Sequence, residues 1–329
     1  MRAIRIRENQ VILDEQAPEP IPSLGDALVR TTHVLLRRAD IANCAGEFGF
    51  EGVVGHQFLG VVESVAGKDS HTLIGKRVVG NPNIADPTSE QARRGLAKHD
   101  PARGVLGLVG RDGCLAERFT IPAVNLASVP ETILDDHAIF ANTLAASVHA
   151  GQMVRIEGKP YVTVLGDDIA ALLCAQVMTK LNASVRLLTT RTDRLELCAK
   201  WGIKHRHLDE VGRRADQDVV VDTTQDPLSM QVAMRMVRPR GTIVLSADPL
   251  SIPSADHGSI DWSPIVSNEL AILGARCGSV GEGLAAMGSG RIDLSGLITR
   301  RFRLDDAINA IRAANEPDQI GVVVDVTRG

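Results

Sequence analysis

The segment "VLGDDIAALLC" has the residue types of a dinucleotide-binding turn, in which an apolar strand runs through a glycine-led turn into a helix. Three small residues matter in such a turn. The first allows the tight turn, the second lets backbone amides touch a pyrophosphate, and the third lets the helix pack closely. The three positions here are Gly166, Asp168 and Ala171. Gly166 and Ala171 suit these roles, whereas Asp168 brings a negative charge to the phosphate position.

The orientation of Asp168 decides whether a dinucleotide binds. At about 5 Å and an effective dielectric constant of about 20, a carboxylate facing one phosphate charge costs on the order of 3 kcal/mol. That cost corresponds to roughly two orders of magnitude in affinity. Turned outward, the same carboxylate is favoured by the dipole of the helix that it precedes. Both orientations remain open at this point.

The end of the next predicted strand lacks the acid that binds the ribose 2'-hydroxyl in NAD-binding folds. The residues there are Thr189, Thr190 and Arg191, and Arg194 follows a turn later. Arginines without an acid suit a 2'-phosphate, so NADP(H) is favoured over NAD if a dinucleotide binds, although Asp168 makes that binding weak. The alternative is that both arginines are solvated charges at a helix start.

A second group of reactive residues lies in "RRADIANCAG" and the later "VVGHQFLGVV". A histidine within an apolar scaffold is typical of a metal site, and Asp40 is a natural partner for His56. Soft ligands are missing, however, because the first stretch offers Arg37 in the place where a zinc site needs a thiolate. This pair of stretches therefore predicts a cleft with an altered reactive centre.

The elements that position these residues form two predicted domains. Stretches such as "DALVRTTHVLL" and "FLGVVESVAG" indicate a β-rich first third, in which the segment from Asn81 to Gly113 is irregular. From Tyr161 short apolar strands such as "DVVVDTT" alternate with helices, which is typical of a doubly wound parallel sheet. We predict that residues 1–145 and 279–329 form the first domain and residues 146–278 the second.

Composition narrows the class of partner. The chain has 329 residues, is 44% hydrophobic and 23% charged, and carries a formal net charge of -4 with mixed signs. It offers no basic face for nucleic acid and no polybasic or long apolar segment for a membrane, so a small-molecule ligand is expected. Its beginning, "MRAIRIRENQ", does not look like a secretion signal, and a cytoplasmic location is predicted. The five cysteines include no C-x-x-C pair, which favours reduced, mostly buried thiols.

The order and spacing of three stretches resemble the zinc-type alcohol dehydrogenase branch of the medium-chain dehydrogenase/reductase superfamily. They are "RRADIANCAGEFGFEGVVGHQFLGVV", "NPNIADPTSEQARRGLAKHDPARGVLGLVGRDGCLAE" and "VLGDDIAALLCAQV". The resemblance covers nearly the whole chain. It implies an α/β protein with a GroES-like β-rich catalytic domain, a Rossmann-type nucleotide-binding domain inserted within it, NAD(P)-linked oxidation of alcohols, and a homo-oligomer, either a dimer or a tetramer.

Set against this family, the catalytic zinc site is mostly lost. The family's C-G-x-D segment falls on Arg37, Arg38, Ala39 and Asp40, so both the zinc-binding thiolate and the proton-passing hydroxyl are missing. The family's G-H-E segment keeps His56 but has Gln57 in place of the acid, and the later ligand position falls on Asn142. Catalytic zinc takes about three ligands from Cys, His and carboxylate, so no zinc is predicted. Two interpretations remain open. In the more specific one, His56 forms a hydrogen bond with Asp40 and Arg37 occupies the vacated metal position. In the simpler one, Arg37 is solvated.

The structural zinc site of the family is lost as well. Its four cysteines, spaced C-x2-C-x2-C-x7-C, fall on Asp86, Ser89, Ala92 and Asp100. Structural zinc contributes folding free energy, so this lobe is expected to be held by packing or to be mobile.

Three functions compete. A working zinc alcohol dehydrogenase is disfavoured because no set of three ligands exists. A zinc-independent NADP(H)-dependent oxidoreductase of a small carbonyl or alcohol would use Arg37 to stabilise a developing oxyanion. A degenerate oxidoreductase, a pseudoenzyme that binds a metabolite or a partner with little or no turnover, explains all the losses with one cause and is slightly preferred.

Overall fold

The structure is a computed structural model that describes residues 1–67, 71–155, 157–211, 214–224, 226–246 and 260–327. The chain divides into two compact units, residues 1–142 with 297–329 and residues 143–296. The first boundary lies close to the predicted residue 145. The return to the first unit comes later than the predicted residue 279, because the intervening helix over Val280–Gly288 falls within the second unit.

The first unit is rich in strands, as the sequence predicted. In chain order its elements are β1 (Ala3–Arg7), β2 (Gln10–Asp14), β3 (Asp26–Leu36), α1 (Arg38–Cys44), β4 (Gly52–Val53), β5 (Phe58–Val65), β6 (Arg77–Gly80), β7 (Asn83–Ile84), α2 (Glu90–Arg93), β8 (Gly104–Leu106), β9 (Gly110–Arg111), β10 (Arg118–Pro122), β11 (Leu126–Ser128) and α3 (Asp135–Ala138). Helix α4 (Ala141–Gln152) follows, with all but its first two residues in the second unit.

The second unit alternates strands and helices. Its elements are β12 (Tyr161–Leu165), α5 (Ile169–Lys180), β13 (Ser184–Thr189), α6 (Thr192–Lys200), β14 (Lys204–His207), β15 (Gln217–Asp222), α7 (Pro227–Met236), β16 (Val237–Leu245), α8 (Ser263–Ser267), β17 (Ala271–Gly274) and α9 (Val280–Gly288). The first unit is completed by β18 (Ile298–Arg303), α10 (Ala307–Ala314) and β19 (Gly321–Asp325), the strand, helix and strand predicted for the tail.

The main sheet of the first unit has the order β11-β6-β5-β3-β19-β18, and β10 also pairs with β3. Its core contains Phe58 and Phe119, whose rings meet edge to face with centroids 4.6 Å apart. The long strand β3 ends at Leu36, and the chain enters α1 directly after Arg37. The candidate residues Arg37 and Asp40 therefore lie directly after the end of a central strand of a packed sheet.

The second unit is built on a parallel six-stranded sheet of order β14-β13-β12-β15-β16-β17. The direction of winding reverses between β12 and β15, where Leu165 pairs with Asp222 at the carboxyl ends. Ligands of such sheets bind at this point. Strand β14 was not foreseen, because its four residues, Lys204 to His207, are all polar.

The segment from Asn81 to Gly113 is less irregular than predicted. It contains helix α2 and the three-stranded sheet β7-β8-β9. These strands have only two or three residues each, too few to show a periodic pattern in the sequence.

Within the described residues, the helices are too short or too polar to cross a bilayer.

Candidate functional site

The predicted pair of Asp40 and His56 is present in the first unit. Asp40 is fully buried, His56 is 3% exposed, and their Oδ1 and Nδ1 atoms lie 2.7 Å apart. An ionised carboxylate can only accept, so His56 donates from Nδ1 and its neutral form leaves Nε2 as an acceptor. The other Asp40 oxygen accepts from the backbone N–H of Arg37 at 2.9 Å. The carboxylate thus joins the start of α1 to the imidazole and fixes its tautomer.

The remaining candidates of the first unit occupy different settings. Gln57 is buried, and its backbone carbonyl oxygen accepts a hydrogen bond from the backbone N–H of Leu35 at 3.0 Å. Arg37 precedes α1 and is partly exposed, and Asn142 is partly exposed in the first turn of α4. The placement of the Arg37 guanidinium in the vacated metal position stays a prediction.

Two thiols that the sequence interpretation treated only as core residues lie near Asp40. Burial, with a smaller contribution from the Asp40 carboxylate, raises the pKa of Cys44 to about 12. The same causes raise the pKa of the fully buried Cys114 well above its ordinary value. Both therefore remain protonated thiols at neutral pH, a form that is a poor metal ligand.

The donor set around His56 does not fit a catalytic zinc ion. The ligand positions of the family hold one imidazole, hydrogen-bonded to Asp40, together with the cation of Arg37 and the neutral amides of Gln57 and Asn142. Across the part of the chain that the structure describes, no three His, Cys, Asp or Glu side chains are grouped to hold a metal. A permanent cation also repels Zn²⁺, so these side chains do not support a zinc-dependent step.

The lobe that carries structural zinc in the family is held here by hydrogen bonds. The oxygen of Ser89 caps α2 by accepting from the N–H of Ala92 at 3.1 Å. The carboxylate of Asp86 accepts from the N–H and hydroxyl of Thr88, both at 2.7 Å, and these bonds lower its pKa.

A third position of that lobe, Asp100, is 4% exposed and accepts from the N–H of Ala102 at 2.9 Å. Arg103 then links the lobe to β7, since its side chain donates to the carbonyl of Asp100 at 3.0 Å and to the amide oxygen of Asn83 at 3.1 Å. Three of the four residues at these positions, Asp86, Ser89 and Asp100, thus accept local hydrogen bonds from the backbone.

In the second unit the turn after β12 has the backbone of a dinucleotide-binding turn. Gly166 has a φ of 145°, and a Cβ at this residue would lie 2.1 Å from Thr223 Oγ1 and 3.0 Å from Ala171 Cβ. Only glycine fits there. Ala171 is fully buried, as close packing of α5 on the strand requires.

Asp168 is the N-cap of α5. Its Oδ1 accepts from the backbone N–H of Ala171 at 2.9 Å, and the hydroxyl of Thr223 lies 3.4 Å from the same atom. The carboxylate is therefore folded onto the start of its own helix, which is the arrangement the helix dipole favours. An N–H group that a pyrophosphate would use is already bound.

Arg194 is not the solvated charge that one interpretation expected. It is 2% exposed, its Nε donates to the carbonyl of Asp167 at 2.9 Å, and its guanidinium pairs with Asp193. Arg194, in the first turn of α6, therefore holds the backbone of the glycine turn in place at Asp167.

Arg191 and Thr190 are more accessible. The Nε of Arg191 lies 3.4 Å from Oδ1 of Asp193, and Thr190 is exposed, its carbonyl accepting from Nε2 of His207 at 3.1 Å. Asp193 thus forms ion pairs with both arginines, and the three side chains together keep one positive charge. The sequence interpretation missed it, because it looked for the acid at the strand end and the acid lies in the first turn of α6.

A further buried carboxyl, Asp222, lies at the carboxyl end of β15. Burial raises its pKa, while hydrogen bonds from Thr224 to Oδ1 at 2.8 and 2.7 Å oppose that shift. The sequence carries no signal for it beyond an acid that ends an apolar strand.

Comparisons with known proteins agree with the two-part architecture. Residues 23–131 match the alcohol dehydrogenase GroES-like domain family. The chain is 29% identical over 269 residues to L-threonine 3-dehydrogenase of Escherichia fergusonii, covering 77% of this chain and 76% of the relative.

Solved structures show the same fold. An alcohol dehydrogenase from Thermus sp. ATN1 superposes with a TM-score of 0.88 at 24% identity, covering 99% of this chain and 100% of that chain. A short chain alcohol dehydrogenase from Escherichia coli CFT073, complexed with NADH, gives a TM-score of 0.89 at 21% identity and 99% coverage of both chains. The chain therefore combines a GroES-like domain of the alcohol dehydrogenase type, over residues 23–131, with a Rossmann-like parallel sheet in its second unit.

Proposed function

We propose that the protein is a degenerate oxidoreductase of the medium-chain dehydrogenase/reductase superfamily. In this proposal it has no zinc-dependent alcohol dehydrogenase activity, and it binds a metabolite or partner with little or no turnover. The observation that carries the proposal is the hydrogen bond from the N–H of Ala171 to the carboxylate of Asp168. An internal anion occupies the start of α5, where a dinucleotide fold binds an external one.

Two effects of Asp168 add together against a dinucleotide. A pyrophosphate must displace the carboxylate from the N–H of Ala171, and it then meets the negative charge that was displaced. The glycine turn itself is intact at Gly166, so the loss concerns hydrogen-bond donors and charge, while the shape of the turn is kept.

The first unit supports the same proposal. His56 has the partner of a zinc-ligating histidine in Asp40, but the family's other ligand positions hold Arg37, Gln57 and Asn142. The arrangement holds a proton between Nδ1 of His56 and the carboxylate of Asp40, and the family's other ligand positions supply a cation and two neutral amides in place of anionic ligands for a divalent metal.

Titration of NADPH and NADH into metal-free protein, followed by nicotinamide fluorescence, tests this proposal. We expect no saturable binding of either cofactor at submillimolar concentration. Replacing Asp168 by Gly removes the charge and should tighten NADPH binding by roughly two orders of magnitude. Asp167→Asn is the matched control, because it removes a neighbouring charge and leaves the cap of α5 in place.

Tight NADPH binding to the unaltered protein would contradict the proposal. Metal analysis supplies a separate test of the zinc argument, since about one zinc ion per chain surviving dialysis would overturn it.

A second candidate function is a zinc-independent NADP(H)-dependent oxidoreductase of a small carbonyl or alcohol. It is favoured by the partly exposed Arg191 at the end of β13, where NAD-binding folds place an acid. In this function Arg37 stabilises a developing oxyanion. Clear preference for NADPH over NADH, lost in Arg191→Gln, would favour this function over the first.

A further inference from the structure

We infer that a cavity on the second unit binds an aliphatic carboxylate. The cavity lies where α4, α5 and α9 end and has a volume of about 430 Å³. This volume falls within the usual range for small-molecule sites. The site is independent of the proposed function, because the lining contains no residue of the turn after β12.

The cavity is lined mainly by aliphatic side chains. These come from Val148 on α4, Val177 and Leu181 on and after α5, and Ala286 and Ile292 on and after α9. Leu181 is 40% exposed, so it offers apolar surface that a ligand can cover. An aliphatic chain is the ligand part that this lining fits, since apolar area removed from water drives its binding.

A glycine in α4 helps to form the cavity. A Cβ at Gly151 would lie 2.8 Å from Leu181 Cδ1 and 3.4 Å from Val177 Cγ1. Glycine is a poor residue for a helix interior, and its presence here lets α4 approach α5 without a side chain between them. The backbone of α4 at Gly151 therefore forms part of the cavity wall, in close contact with Leu181 and Val177.

Two cations at the cavity supply the recognition of a carboxylate. Lys180 and Arg291 line it and are exposed, and neither forms a salt bridge with any residue that the structure describes. Their long stems can cover apolar surface while the charged ends reach a ligand head group. A carboxylate between an ammonium and a guanidinium gains charge-assisted hydrogen bonds.

The helix ends do not already require these cations. At the end of α9 the carbonyls of Ala285, Ala286 and Met287 accept from Ser289 and Gly290. At the end of α5 the N–H of Leu181 caps the carbonyls of Val177 and Met178. With those acceptors bound locally, Lys180 and Arg291 are left to complement an external anion.

Calorimetric titration of the full chain with octanoate, 1-octanol and octylammonium tests the inference, with the two ions kept below their micellar concentrations and 1-octanol below its solubility limit. We expect saturable binding of octanoate that is at least tenfold tighter than that of 1-octanol, and octylammonium should bind most weakly. Equal binding of octanoate and 1-octanol would refute the role of the cations, and absence of octanoate binding would refute the site.

Variants locate the ligand. Ala286→Leu places a larger side chain in the cavity and should weaken octanoate binding at least tenfold. Ala285→Leu is the matched control on the exposed side of the same helix and should leave binding unchanged. The surface variants Lys180→Gln and Arg291→Gln should each weaken octanoate binding severalfold without changing that of 1-octanol. Unaltered octanoate binding in Ala286→Leu or in both charge variants would overturn the inference.

Discussion

The starts of helices α1 and α5 both use an aspartate, but in different ways. Asp40, in the first turn of α1, is fully buried and binds the imidazole of His56 as well as the N–H of Arg37. Asp168, the cap of α5, is partly exposed and binds the N–H of Ala171 three residues away. One carboxylate holds two distant segments together, and the other satisfies its own helix.

The two aspartates should therefore differ in how much their substitution destabilises the fold. Removing one partner of a buried polar pair leaves the other without a hydrogen bond in a medium of low dielectric constant. The pair of Asp40 and His56 should therefore contribute to stability whether or not a metal binds nearby. A local cap can be supplied by Asp, Ser or Thr, so the Asp168 position is free to change with little effect on the fold.

The largest effect is expected from Asp40→Ala. It leaves Nδ1 of His56 and the N–H of Arg37 without their shared acceptor, and the loss in free energy of unfolding should be about 3 to 5 kcal/mol. Urea denaturation measures it, with Asp40→Asn as the control that retains one acceptor and should lose less. A loss below about 1 kcal/mol would remove the distinction between the two aspartates.

The next largest effect is expected at the glycine turn. In Gly166→Ala, the new residue has to adopt a positive φ, and its Cβ also collides with the side chain of Thr223. The substitution should lower the free energy of unfolding by about 2 to 4 kcal/mol. Gly158→Ala is the control, because Gly158 has a φ of 65° with open space around it, and should lose only about 1 kcal/mol. Equal losses would mean that the crowding at Thr223 has no energetic weight.

A smaller effect is expected for the cap itself. Asp168→Ala should lower the free energy of unfolding by about 1 kcal/mol, because the N–H of Ala171 loses its acceptor. Asp168→Ser keeps an acceptor without the charge and should recover most of that loss. Urea denaturation of both variants checks this, and a loss as large as that of Asp40→Ala would show that the tertiary contact with the hydroxyl of Thr223 outweighs the cap.

The smallest change in the free energy of unfolding at neutral pH is expected from the ionisation of the thiols near the two aspartates. Burial raises the pKa of Cys44, near Asp40, and of Cys174, near Asp168, from 9.0 to about 12. Between these values the unfolded chain releases protons that the folded chain retains, so the free energy of unfolding should fall as pH rises from 9 towards 12.

Stability measured in urea from pH 7 to 10.5 tests this expectation. Replacing Cys44 and Cys174 by Ala should make the decline at alkaline pH less steep without abolishing it, because burial raises the pKa of Cys114 and Cys198 in the same way. An equally steep decline in that variant would assign the effect to other groups.

Much of the fold was predictable from short stretches. Strands such as β3 and β5 are apolar runs bounded by turns, and the parallel sheet follows from strands that alternate with helices. The polar strand β14 and the short strands of the Asn81 to Gly113 segment were not predictable, because pairing with their neighbours makes them strands.

Some properties of the candidate-site residues were likewise predictable from the sequence, and others were not. Gly166 and Ala171 could be assigned from the turn alone, since each role depends on a missing or small side chain. The burial of Arg194 could not, because it depends on the carbonyl of Asp167, which another strand brings to it.

The sequence by itself determined the two-part architecture and the glycine turn, because periodicity and glycine positions are local properties. Tertiary structure decided the side on which Asp168 lies, the pairing of Asp193 with two arginines and the return to the first unit at residue 297. These outcomes depend on which groups compete for one hydrogen bond or one buried space. That competition is settled only when distant segments of the chain pack together.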